Sequence, residues 1–129
     1  MASLSKLMLT LEQTEEHKKL KVVRVSYGYQ LKCSPVDLRE RLVYTVSVDV
    51  LGDEVLVDNK LALNVDAHEV SCECDIPDED QISVQREFTI AQSVLDEDIG
   101  IDEIKLNIRA VTSTGDTCEG MTGIIRGRF

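Results

Sequence analysis

Carboxylates crowd most densely in the run Asp96-Glu97-Asp98-Ile99-Gly100-Ile101-Asp102-Glu103. Calcium takes about six to eight oxygen ligands, and closely spaced Asp side chains around a glycine bend can supply several of them. Asp96, Asp98 and Asp102 are therefore the candidate metal ligands, and calcium is the candidate ion. The run departs from an EF-hand, because a third Asp or Asn just before the glycine and a Glu at the end of the loop are both missing. Without an ion it reads as an acidic loop leading into a strand. Asp75, Asp78, Glu79 and Asp80 form a second acidic cluster. A simple up-and-down count leaves one strand between the two clusters, which puts them at opposite ends of the fold and not in one shared site.

Four cysteines, Cys33, Cys72, Cys74 and Cys118, offer softer ligands. Cys72-x-Cys74 projects two thiols to one face of a strand, but the Cys-x2–4-Cys knuckle usual for structural zinc is absent. The simpler reading is small apolar side chains between Val70 and Ile76, reduced and not required to hold the fold together. His17 falls in a charged stretch and His68 at a strand start, and neither belongs to a nucleophile motif. Gly120, Gly123 and Gly127 lack the strand-loop-helix setting of a phosphate loop and read as bulges or turns. Arg126, Arg128 and Phe129 make a small basic end. No residue stands out as catalytic.

Charge narrows the partners. Lys and Arg number 14 against 24 Asp and Glu, a net charge of −10. That field repels phosphate backbones, which bind through cationic surfaces and counterion release, so nucleic acid is not an expected partner. No apolar run approaches the roughly 20 residues of a membrane span, so insertion is not expected. The start of the chain lacks the apolar core of a signal peptide, and the expected location is cytoplasmic.

The elements that would position these groups are strands. Leu7, Leu9 and Leu11 alternate with Met8, Thr10 and Glu12, and Val23 to Leu31, Leu42 to Val50 and Ile104 to Ala110 repeat the pattern. Leu61, Leu63 and Val65 form a further set, and Val70, Cys72, Cys74 and Ile76 another. Ile82, Val84, Phe88 and Ile90 continue the pattern, with Arg86 breaking it. The expected core includes Val23, Val25, Tyr27, Tyr29, Tyr44, Val46, Val48, Leu63, Val84, Phe88, Leu106 and Ile108. Ser34-Pro35 reads as the N-cap and first residue of a short helix, and Glu12 to Lys19 as a solvated loop.

About eight short strands separated by turn residues predict an all-β, single-domain antiparallel β-sandwich spanning residues 1–129, with a barrel as the alternative. In size and strand number the chain is similar to C2, lipoxygenase-homology (PLAT) and immunoglobulin-like domains, without a motif that carries over their ligands. The functional expectation is a non-catalytic protein-interaction or assembly module, working on a protein partner or by self-association as a homo-oligomer. The alternatives are a calcium-dependent module using loop 96–103 and a small-ligand barrel or enzyme. If calcium occupies the loop, millimolar calcium raises the melting temperature of the wild type, and Asp98→Asn removes the rise. Calorimetric titration of both proteins checks this.

Overall fold

The structure, a computed structural model, describes residues 2–53, 58–73, 81–95 and 102–127. Their order is β1 (Ser3–Glu12), α1 (Glu15–Leu20), β2 (Val22–Lys32), α2 (Pro35–Glu40), β3 (Val43–Asp53), β4 (Asp58–Ser71), β5 (Gln81–Ala91), α3 (Gln92–Leu95), β6 (Asp102–Thr112), β7 (Thr117–Met121) and β8 (Ile125–Gly127). β1, β2 and β5 make one antiparallel sheet in that spatial order. β4, β3, β6 and β7 make the second, with β8 also paired to β6. Two separate sheets with open edges make a sandwich, so the barrel alternative is corrected. Among the described residues no helix is long and apolar enough to cross a membrane.

Period-two alternation builds the interior. Val23, Val25, Tyr27, Tyr29 and Leu31 of β2 are buried, as are Tyr44, Val46, Val48 and Val50 of β3 and Ile104, Leu106, Ile108 and Ala110 of β6. They join one apolar cluster that spans both sheets. Each large aliphatic side chain buried this way contributes about 1.5–3 kcal/mol. Of the expected core residues, Val84 and Phe88 on the edge strand β5 are only partly buried. Leu63 is 57% exposed, which corrects its assignment.

Parity along β4 explains Leu63, although a bulge interrupts the strand there. Val48 pairs with Asp66 and Val50 with Ala62, so β4 spends four residues where β3 spends two. Asn64 takes up the excess with a φ of 52°, and its N–H donates to Asp49 Oδ1 at 2.9 Å. Two extra residues leave the alternation in phase, so Ala62, Asp66, His68 and Val70 all stand opposite inward positions of β3, and Leu63 has the other parity. β1 takes one extra residue at Lys6, whose φ is 50°; this odd insertion does exchange faces, and Leu4 and Leu7 both pack on the core despite their opposite parity. Leu7 also seats over β7, where a Cβ added at Gly120 would lie 2.9 Å from Leu7 Cδ2.

Two helical turns cross the ends of the sheets. Ser34 caps α2, with Asp37 completing a capping box and Pro35 in the first turn. The stretch expected as a loop contains α1, capped by Thr14 in a box closed by His17. Histidine in place of the usual Glu or Gln at that position hides the signal.

Cys33 and Cys72 are joined in a disulfide, and both are buried. The expectation of reduced cysteines is thereby corrected for this pair. Cys33 follows β2 and Cys72 follows β4, so one covalent bond ties the two sheets together at the α2 end. The half-buried Cys118 is free. Closing a loop of 39 residues restricts the unfolded chain enough to stabilise the fold by about 3–4 kcal/mol. Reduction, or the double change Cys33→Ala and Cys72→Ala, is expected to lower stability by that amount in urea titration. Thiol titration of the unfolded, unreduced protein is expected to count at most two free groups.

Candidate functional site

The inward face of the sandwich becomes polar where β4 and β5, the edge strands of opposite sheets, run beside each other. Asp66 and His68 take inward positions on β4, opposite Val48 and Val46 of β3. Arg86 is opposite Tyr27 in the β2–β5 register, which turns it toward the second sheet. Its guanidinium grips Asp66 with two hydrogen bonds, Nε to Oδ2 at 2.8 Å and Nη2 to Oδ1 at 3.2 Å. The Tyr27 hydroxyl also donates to Asp66 Oδ2. Two residues along β2, on the same face, the Tyr29 hydroxyl meets His68 Nε2 at 2.6 Å. The rings pack as well: Tyr27 and Tyr29 stack at 6.5 Å, His68 tilts against Tyr29 at 5.9 Å, and Phe88 meets Tyr27 edge-on at 6.1 Å.

The electrostatics of the cluster follow from this geometry. Burial, with the neighbouring Asp66 carboxylate adding to it, raises the Tyr27 phenol far above its ordinary value. Burial likewise raises Tyr29, so both phenols stay protonated. Burial opposes ionisation of Asp66, but the Arg86 bonds and the Tyr27 hydroxyl outweigh it and hold the carboxyl below its ordinary value. His68 is pushed down, first by burial and then by the Arg86 charge, with Asp66 pulling the other way. The resting cluster is thus an ion pair, two neutral phenols and a neutral imidazole. Among the described residues His68 Nδ1 is buried without a hydrogen-bond partner.

Two other polar features flank the core. The Tyr44 hydroxyl donates to the buried Asp37 at 3.1 Å, and burial together with this carboxylate pushes Tyr44 up to about 12. At the other end, an open depression of about 850 Å³ is bordered by Lys18, Leu20, Lys21, Val22, Ala91 and Gln92. Leu20 is 65% exposed, more than any other large hydrophobic residue among those described.

The residues singled out as calcium ligands are not tested by this arrangement. Asp96 and Asp98 lie outside the described residues, and so does the side chain of Asp102, whose backbone begins β6. The second acidic cluster, Asp75 to Asp80, and Cys74 lie outside them too. Among the described residues no cluster of three or more His, Cys, Asp or Glu side chains is placed to hold a metal ion. At the C-terminal end, Arg126 pairs with Glu103 at 3.0 Å.

Removing the Arg86 head group leaves the mostly buried Asp66 with a single donor. Arg86→Met is expected to cost about 1–2 kcal/mol at pH 7, less than a fully buried pair because Arg86 is partly exposed. A carboxyl held below its unfolded value contributes stability above about pH 4 and loses it as the pH falls through its folded value. The gap between wild type and variant is therefore expected to narrow below pH 4, as read by urea unfolding across pH.

No family model matches this chain, and no curated protein matches it. Among solved structures it is similar to a Bordetella pertussis protein described as ApaA, with 8% identity and a TM-score of 0.46 over 99% of this chain and 94% of that one. It is also similar to the X-ray structure of the Northeast Structural Genomics Consortium target SoR45, with 8% identity and a TM-score of 0.42 over 97% of this chain and 85% of that one.

Proposed function

We propose that the protein is a non-catalytic β-sandwich module that acts by protein–protein contact, through self-association or as part of a larger assembly. The observation that carries this reading is the open depression between α1, the start of β2 and α3, with Leu20 standing out of it. An exposed leucine beside a concave, partly apolar surface gains by being covered, and Lys18 and Lys21 supply a polar rim. The polar cluster between the sheets supports the same reading, because its groups are spent on one another: Asp66 is taken by Arg86 and Tyr27, and Tyr29 by His68. The net charge of −10 disfavours nucleic acid as the partner. On compartment, the Cys33–Cys72 bond weighs toward oxidising surroundings over the cytoplasm, since buried disulfides persist mainly there.

Sedimentation velocity tests the reading. The wild type is expected to associate as its concentration rises, and Leu20→Glu to remain a monomer with unchanged circular dichroism. A wild type that stays monomeric up to about 100 μM, where contacts stronger than roughly 5–6 kcal/mol would be populated, overturns self-association through this face.

A further inference from the structure

The polar seam between the sheets has a second property, set by the histidine within it. His68 is reached from β2 by Tyr29 and Tyr27, from its own strand by Asp66 and from β5 by Arg86. On β3 its register partner is the apolar Val46. The Cys118 thiol lies near enough to Tyr29 to influence it. Among the described residues only one nitrogen of His68 has a partner, Nε2 on the Tyr29 hydroxyl at 2.6 Å, while Nδ1 is buried without one. A neutral imidazole tolerates this arrangement. An imidazolium carries an N–H on both nitrogens. Its Nδ1–H would then be a charged donor without an acceptor, beside the Arg86 guanidinium and with Asp66 already engaged.

From this geometry we propose that the β4–β5 seam is a proton-sensitive clasp: uptake of one proton by His68 opens the contact between the two sheets along this edge while the opposite side stays packed. The anatomy favours local opening. β4 and β5 each have one strand neighbour among the described residues, and β4 is already interrupted by the bulge at Asn64. Among the described residues the seam is held by side-chain contacts, whereas the α2 end is tied by Cys33–Cys72 and β1 packs against β7 through Leu7 and Gly120.

The direction with pH is fixed by linkage. His68 in the closed seam sits below its ordinary value of about 6.5, so the opened seam takes up the proton first. Closure is complete above about pH 6.5 and weakens as the pH falls past it.

Amide hydrogen exchange, corrected for the intrinsic effect of pH, tests the clasp on the intact protein. Between pH 7.5 and 5.5, amides of residues 66–70 and 84–88 are expected to gain at least about tenfold in exchange relative to β3 and β6, equivalent to about 1.4 kcal/mol. His68→Gln, which keeps a partner for Tyr29 but cannot titrate, is expected to abolish this difference, while His17→Gln on α1 leaves it intact. Seam and core amides that respond alike, or a difference that survives in His68→Gln, overturn the proposal. If His68→Gln does not fold, NMR titration of the wild-type imidazole decides: onset of seam exchange must track protonation of His68, and protonation without faster seam exchange overturns it.

Discussion

β2 is the strand on which the rest of the sandwich depends. It lies at the centre of its sheet between β1 and β5, and all five of its inward side chains are buried. Val23, Val25 and Leu31 share the apolar interior with β3 and β6, and Tyr27 and Tyr29 extend the same face toward the polar groups of β4 and β5. A shift of one residue in β2 would expose the aliphatic half and strand the phenols together, because alternation carries every side chain to the other face at once. Core and seam are therefore a single register, and neither can be adjusted alone. With aromatics only 4% of the chain, placing two of the three tyrosines on this strand concentrates much of its ring surface where hydroxyls are also needed.

Much of this was legible in the chain itself, because alternation is local. Val23 to Leu31, Tyr44 to Val50 and Ile104 to Ala110 declare their faces residue by residue, and the observed strands follow them. Legibility fails where backbone geometry intervenes. Nothing in Leu61-Ala62-Leu63-Asn64-Val65 announces that Asn64 will adopt a left-handed conformation, although asparagine is among the residues that tolerate it. Lys6 gives no such hint at all. The Thr14–His17 box that starts α1 was hidden by an unusual partner, and the Cys33–Cys72 pairing depends on the ends of two strands meeting across the sandwich, a long-range fact that spacing along the chain does not encode.

The polar seam shows the same division. Arg86 marks itself by interrupting an apolar face, a visible conflict between pattern and residue type of the kind expected at special positions. Its partners do not. Asp66 and His68 share the inward parity of the buried Val70, but nothing local says that β4 runs beside β5, so their contacts with Tyr27, Tyr29 and Arg86 become visible only once the two sheets are placed. The acidic run 96–103 had the opposite history. It was the most conspicuous chemistry in the sequence, yet the described residues reach only the backbone of Asp102 within its ligand set.

The position of the disulfide has a consequence for how the chain can be made. Cys33 and Cys72 both precede β5, so the covalent ring encloses α2, β3 and β4 and leaves β5 to β8 outside it. A chain emerging from its N-terminus exposes both thiols before either central strand has its second neighbour, since β2 still lacks β5 and β3 still lacks β6. An oxidant acting at that stage would fasten two half-built sheets at one end and leave the other end open. The later strands would then add to a template whose spacing is already set, with the Arg86–Asp66 contact forming only when β5 arrives. Vectorial synthesis and covalent connectivity thus run in the same order, from the tied end of the sandwich toward its polar edge.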